Sequence, residues 1–537
     1  MKKYKKLINL LVFFSLFPSI TACSKNDVKS EQEDFLEVIS GLTSENELYV
    51  ESDETSKSFV VKASSKPEAI SEASWVYATA TEPTYPSRLS TITLNILPNK
   101  DTASSRSASI EISVGEKKLR LTLYQEKATP NQEENQQDIT FTPWINTEPC
   151  VIGGSTASDV ARSLGVGWNL GNQMDAYTDG VASETAWGNP KVTQALFDTL
   201  KSRGFSTVRI PVTWLGHIGE APEYKIEEAW LNRVKELVEM AETAGLNAIV
   251  NIHHDGGESQ HWLDIKNAAL NPEKNEEVKK EIAAIWIQIA ESMKDKGHFL
   301  MFEAFNEIHD GGWGWGGNRT DGGKQYECLN QWNQTFVDAV RSTGGNNSTR
   351  WLSVPSYVTS IDLATNGSMV LPKDEAEKVM VSVHFYEPND FALNSVVTDW
   401  GHSGDNSKKG SIVQDEDYMK SQFAKLKTYW VDKGTPVYIG ESGPSNQASA
   451  RGQAFRNYYL EYFHRAAREA GLAAIYWDNG AVGSGSEKFG LFNHSDGKVI
   501  NNSDEAIYAL TRGGTCSEEG YDLNWIYKNA PEFYEGK

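Results

Sequence analysis

Eight apolar runs alternate with helical patterns along the chain, and this alternation limits its architecture more than any other feature. The runs lie near Gly165–Asn169, Thr207–Pro211, Asn247–His253, Phe299–Asn306, Trp351–Val354, Val379–Phe385, Pro436–Gly440 and Leu472–Trp477. Most are continuous rather than alternating, as expected of parallel strands buried on both faces. Between them, Trp230, Leu231, Val234, Leu237, Val238 and Ala241 share one helical face, as do Ile282, Ile285, Trp286, Ile289 and Met293. Eight βα alternations predict an α/β fold, a (β/α)8 barrel whose closure leaves no exposed edge. A doubly wound sheet would ordinarily carry a GxGxxG turn after its first strand. GVGWNLGN has glycines in a different order.

Active sites of such barrels lie at the C-terminal strand tips, so residues there should converge. In order, the tips offer Asn172 and Asp175, Arg209 and Trp214, His253 and His254, Asn306 and Glu307, His384 and Tyr386, Glu441, and Trp477. Two segments share one design. LMFEAFNEIHD ends its apolar run at Asn306-Glu307, and PVYIGESG ends its run at Glu441. Paired carboxylates with a guanidinium, imidazoles, a phenol and an indole suit glycosidic cleavage, in which one carboxyl donates a proton and the other attacks the anomeric carbon. On this logic Arg209 and Tyr386 keep Glu441 ionised, while burial and the charge of Glu441 raise Glu307. Asn306 is placed to hold a sugar 2-hydroxyl.

Other chemistries fit less well. His253-His254-Asp255 hints at a metal, yet adjacent strand residues point to opposite faces, so no metal or other cofactor is expected. Ser442 sits in Gly440-Glu441-Ser442-Gly443-Pro444, which lacks the GxSxG elbow. Among 537 residues, 73 are acidic and 51 are Lys or Arg, a formal charge of -22, which disfavours nucleic acid as a partner. The 16 Trp and 21 Tyr exceed ordinary core needs and suit flat ligands such as sugars.

Upstream, residues 35–126 have period two, as in Ile92, Leu94 and Ile96 or Ile110, Ile112 and Val114, with turn residues every 8 to 12 positions. This predicts a small immunoglobulin-like β-sandwich. Residues 127–145 form a linker, beginning with the Pro-, Gln- and Glu-rich KATPNQEENQQD, and residues 146–537 form the barrel domain. At the N-terminus, Lys2, Lys3, Lys5 and Lys6 precede an apolar stretch, Leu7–Phe17, too short to span a bilayer. Ile20-Thr21-Ala22-Cys23 then resembles a bacterial lipobox. The resemblance implies a signal peptide over 1–22, a lipid on Cys23, a flexible tether over 23–34, and an outer-membrane lipoprotein facing the cell surface. Removing four lysines would leave the mature chain near -26. Cys150, Cys328 and Cys516 remain, an odd count, and a clasp between Cys150 and Cys516 is conceivable.

Two further resemblances are carried by motifs. SWVYATA and RSASIEISVGEKKLRLTLYQE resemble the BACON module of Bacteroidetes carbohydrate enzymes, here expected to act more as a spacer than as a sugar binder. GWNLGNQMDA, TVRIPVTW, NIHHDGG, FEAFNEIHD, RWLSVPSY, VSVHFYEP, VYIGESG and IYWDNG occur in the order seen in glycoside hydrolase family 5, and Ile308 resembles the subfamily 4 variant. That resemblance implies Glu307 as acid/base and Glu441 as nucleophile. It places Arg209, His253, Asn306, His384, Tyr386 and Trp477 around the sugar at the cleavage point, with Asn172, Asp175 and His254 farther along. Trp313, Trp315, Phe391 and Trp400 are expected to wall an open cleft, and Trp187 and Trp262 to add platforms. The expected function is a monomeric retaining endo-β-1,4-glucanase acting on xyloglucan, mixed-linkage glucan or soluble cellulose. Alternatives are an endo-mannanase or xylanase on the same scaffold, or a catalytically silent glycan-binding lipoprotein.

Overall fold

A computed structural model describes residues 34–128 and 140–532, apart from residues 44, 53, 55, 74, 85, 86, 100, 102, 257–260 and 312–320. Cys23, the signal peptide, nearly all of the tether, most of the linker, Trp313 and Trp315 lie outside the described residues. The chain divides into two compact units, Met1–Gln136 and Gln137–Lys537.

The first unit is a β-sandwich. One sheet orders β1 (Leu36–Ser40), β3 (Ser56–Ala63), β6 (Leu89–Ile96) and β5 (Val76–Ala80). The other orders β2 (Glu47–Val50), β8 (Lys117–Gln125), β7 (Arg106–Val114) and β4 (Glu68–Ser71). The period-two pattern turns Leu94, Ile96, Ile110, Ile112, Leu121 and Leu123 inward to one shared core.

The second unit is a closed parallel barrel. Its strands are β9 (Val166–Leu170), then, after a short hairpin of β10 (Tyr177–Thr178) and β11 (Val181–Ala182), β12 (Thr207–Ile210), β13 (Asn247–Val250), β14 (Leu300–Glu303), β15 (Leu352–Pro355), β16 (Val379–Phe385), β17 (Val437–Ser442) and β18 (Ala473–Asp478). Each predicted run contains its strand or overlaps it with small shifts at the ends. The chief difference is that β13 stops at Val250 and β14 at Glu303, so His253 and Glu307 stand in loops beyond the ladder. Outward side chains of the strands pack on surrounding helices, among them Glu228–Ala244, where Trp230, Val234, Leu237, Val238 and Ala241 are buried as their spacing predicts.

Inside the barrel, Ile249, Met301, Met380, Tyr438 and Ile475 form a core with Val160, Ala161 and Leu164. Val160 and Ala161 come from the helix Ala157–Ser163. That helix is started by a capping box, in which the Thr156 side chain accepts from Asp159 N–H and the Asp159 carboxylate accepts from Thr156 N–H. Apolar interior filling gives way to polar filling toward the strand tips. Arg209, Glu303, Ser382 and Asn251 are all fully buried there.

The conceivable Cys150–Cys516 clasp is absent. All three described cysteines are free and buried, and Cys150 Sγ instead lies 3.4 Å from Lys201 Nζ.

Candidate active site

The polar filling is organised by one guanidinium. Arg209, on β12, donates from Nε to Glu303 Oε2 at 2.7 Å, from Nη1 to Asn169 Oδ1 at 3.0 Å and Glu441 Oε1 at 2.9 Å, and from Nη2 to Asn306 Oδ1 at 2.9 Å. It is fully enclosed, and the flanking Glu303 and Glu441 carboxylates keep it protonated despite burial. Because Asn306 Oδ1 is taken by Arg209, its amide nitrogen is the end left for a ligand.

Glu441, near the end of β17, also accepts from the Tyr386 hydroxyl at 3.0 Å. A register shift between Val383 and His384 sets His384 opposite Glu441 in the β16–β17 pairing. His384 Nδ1 lies 2.6 Å from Glu307 Oε1 and 3.6 Å from Glu441 Oε2, so the imidazole bridges the two carboxylates beneath the cleft. Donor atoms of Glu307, His384 and Glu441 all fall within 4.8 Å of one another.

The bridge changes the expected titration. Burial pushes Glu307 up, but the hydrogen bond and charge of His384 outweigh it and hold Glu307 below the ordinary carboxylate range. Burial pushes Glu441 up, more than His384 and Arg209 pull it down. Both directions reverse those expected from sequence, because an imidazole stands beside both carboxyls. Two carboxyls this close titrate as a pair. Of the two, Glu441 alone accepts from Arg209 and Tyr386, hydrogen bonds that favour its ionised form.

Above these groups opens a cavity of about 980 Å³, lined by Asn172, His253, His254, Asn306, Glu307, Tyr386, Glu441 and Trp477 among others. A smaller space of about 280 Å³, bordered by Tyr177, Trp187, His261 and His309, shares Glu307 and both His253 and His254 with it. The two spaces thus share a wall at Glu307, His253 and His254.

Trp477, one residue before the end of β18, holds its indole parallel to the His253 ring, 5.9 Å away at 7°. A Cβ on Gly171 would come within 2.7 Å of the Trp477 ring, which explains the glycine in GWNLGN. Next to it, Asn172 adopts a left-handed φ of 54° and gives its N–H to Asp175 Oδ2 at 3.0 Å, while Gln173 N–H binds Oδ1 at 2.7 Å. This local turn folds Asp175 inward.

Several sequence expectations need correction. Arg209, Asp175 and His384 are buried and absent from the cleft lining; they order the residues that face it. Trp400 is 1% exposed, packs on Tyr458, Tyr459 and Tyr462 of the helix Ala450–Glu469, and gives its Nε1–H to Gln414 O, so no sugar can stack on it. Phe391 is likewise fully buried. Trp187, 43% exposed, lines the cleft, and Trp262 is partly buried and gives its Nε1–H to Asp255 Oδ1 at 2.7 Å. His253 and His254 stand past the end of β13, where strand alternation no longer applies, and their rings are 4.4 Å apart.

Asp175, His253 and His254 bring donor atoms within 4.8 Å of each other, as do Glu307, His384 and Glu441. Both sets fit hydrogen bonding better than a cation. Asp175 is engaged by two backbone amides, and the Arg209 guanidinium already fills the cation's place beside Glu441. Burial lowers His253 well below its usual value and His254 to about 4, and raises Asp175 to about 7. Neutral imidazoles on the cleft wall can each donate and accept with sugar hydroxyls.

The model described as Cellulase (glycosyl hydrolase family 5) matches residues 174–483, more than half of the chain. The chain belongs to glycosyl hydrolase family 5. It is a glycoside hydrolase of the endoglucanase type, preceded by a BACON domain, described as a putative binding domain, matched over residues 58–126. Endoglucanase A of Paenibacillus barcinonensis is 36% identical over 374 residues, covering 67% of this chain and 90% of the relative. A GH5-4 broad specificity endoglucanase from Bacteroides salanitronis, of known structure, is 53% identical with a TM-score of 0.66, covering 71% of this chain and 99% of its own. The xyloglucan-specific endo-beta-1,4-glucanase BoGH5A of Bacteroides ovatus is 31% identical over 374 residues, covering 67% of this chain and 70% of the relative.

Sequence inspection missed Glu303, which lies beneath the whole site. The available signal was an acidic residue closing the otherwise apolar strand LMFE. It also missed Glu487 and Asn479, contributed to the cleft by the loop after β18.

Proposed function

We propose that this chain is a surface-tethered, retaining endo-β-1,4-glucanase that cleaves xyloglucan, mixed-linkage glucan and soluble cellulose within the polymer. The observation that carries the reading is the placement of Glu307 and Glu441, with oxygens within 4.8 Å of each other beside an extended cleft. That spacing accords with the ~5–5.5 Å carboxyl separation of retaining enzymes rather than the ~6.5–9.5 Å of inverting ones, which must admit a water between the carboxyls.

Glu441 attacks the anomeric carbon while Glu307 protonates the departing oxygen. Arg209 and Tyr386 hold Glu441 in place, and Tyr386 keeps its own proton because burial and both carboxylates raise its pKa far above the usual phenol value. Asn306 offers its amide nitrogen to the 2-hydroxyl, a bond that strengthens as the oxocarbenium-like transition state forms. Glu307 then takes a proton from a water whose oxygen bonds to the anomeric carbon as the sugar–Glu441 ester bond breaks, which frees the sugar and restores the Glu441 carboxylate. Trp477 forms the floor of the cleft.

Substrate choice is supported by the names of the relatives, which include broad-specificity and xyloglucan-specific endoglucanases. Reducing ends released from xyloglucan, barley glucan, carboxymethylcellulose, glucomannan and xylan test it. Release confined to glucomannan or xylan would replace the proposal with its scaffold-sharing alternatives. A monomer anchored through lipidated Cys23 completes the proposal, and Cys23→Ala is expected to move the protein to soluble fractions. Continued membrane association would contradict the anchor.

A further inference from the structure

We propose that Glu303 is a positioning residue of the catalytic machinery, holding the Arg209 fork in register and setting how much of its charge reaches Glu441. The inference rests on Glu441 being the nucleophile.

Glu303 is fully buried at the end of β14, and its two oxygens accept from four side chains. Oε2 receives Arg209 Nε at 2.7 Å and Asn251 Nδ2 at 2.9 Å; Oε1 receives Tyr438 OH and Ser382 Oγ, each at 2.7 Å. The donors belong to β12, the residue just past β13, β17 and β16, so one carboxylate ties together the barrel wall beneath the cleft. A buried charge left incompletely paired would be costly, and this one has four donors, one of them the Arg209 cation.

A purely structural anchor would not need the catalytic arginine. Arg209 is divided between Glu303 through Nε and Glu441 through Nη1, so two carboxylates share one positive charge. Whatever charge Glu303 neutralises is unavailable to Glu441. The other titratable or charged groups near Glu441 are His253 at 3.9 Å, His384 at 3.6 Å, Tyr386, Glu307, Asp175 and Glu487. Around Glu303 they are Arg209 and Tyr438, with Asn251 and Ser382 neutral. Burial favours protonation of Glu303, but Arg209 and the hydroxyl donors hold it ionised, below the ordinary carboxylate range. The second charge on the arginine is therefore permanent at working pH.

The test is the pH profile of kcat/KM for Glu303→Gln and Glu303→Asp in the full chain. Removing the charge frees Arg209 for Glu441, so the acid limb of Glu303→Gln moves to lower pH. Loss of alignment lowers kcat by roughly ten-fold or more. Glu303→Asp keeps the charge, so its acid limb stays near the wild-type position even where kcat falls. If the Gln variant does not fold, Tyr438→Phe replaces it. One donor fewer leaves more of the Glu303 charge facing Arg209, and the acid limb moves to higher pH. An acid limb that stays at the wild-type position in Glu303→Gln, or in Tyr438→Phe where that variant stands in, overturns the proposal and leaves Glu303 a structural anchor. Failure of the underlying assignment would show separately, as wild-type turnover in Glu441→Gln.

Discussion

His384 Nδ1 lies 2.6 Å from Glu307 Oε1 and 3.6 Å from Glu441 Oε2, so one ring nitrogen faces both carboxylates. Its protonated form favours ionisation of each. In His384→Ala both carboxyls keep their protons to higher pH. The acid limb of kcat/KM, set by ionisation of Glu441, and the basic limb, set by proton loss from Glu307, should both move up, with a fall in kcat. Initial rates across pH on a soluble glucan check this; a bell that stays put or moves down would contradict the bridging role.

Trp477 and Trp400 should differ in their kinetic response to the same substitution, since only Trp477 lines the cleft. Trp477→Ala removes the cleft floor and should lower kcat/KM of the folded protein roughly ten- to hundred-fold, about 1.5–3 kcal/mol of lost apolar contact, alongside a loss of stability because the ring is largely buried. Trp400→Ala leaves a hole against Tyr458, Tyr459 and Tyr462 and should cost about 3–5 kcal/mol of stability, with KM unchanged in the protein that remains folded. Steady-state kinetics and thermal unfolding on both variants separate the roles.

Asp175 provides a pH signature of burial. Its carboxyl is raised to about 7 by burial, so the folded state binds a proton more tightly than the unfolded chain does. Stability associated with this proton is fully present below the unfolded value of about 3.9 and is lost as pH rises through about 7. Asp175→Asn cannot ionise, so its melting temperature relative to wild type should climb between those pH values, whatever constant offset the substitution carries. A difference independent of pH would show that Asp175 is not strained by ionisation.

The barrel was legible because parallel strands buried on both faces must be continuous apolar runs, and the helices between them must carry a 3.6-residue stripe. The tip residues followed from the rule that places barrel active sites at strand ends. Less legible was anything that depended on depth. Arg209 and Asp175 belong to the right neighbourhood, yet their enclosure by their own hydrogen bonds depends on partners distant in sequence or on a local turn. Trp400 was misplaced because an aromatic in a long loop has the same appearance in sequence whether it meets solvent or a helix. Glu303 escaped notice because its network gathers donors from positions 209, 251, 382 and 438, a convergence with no local spacing. The pairing of His384 opposite Glu441 depends on a one-residue register shift that no periodicity announces.

In the proposed mechanism Glu441 forms a covalent bond to the sugar while Glu307 handles the proton. A fluorosugar inactivator, whose electron-poor ring slows hydrolysis of the intermediate, tests it directly when followed by mass-spectrometric peptide mapping. The label should appear once per chain, on the peptide carrying Glu441 in VYIGESG. A label on Glu307, or unimpeded turnover with no label on any peptide, would contradict the assignment.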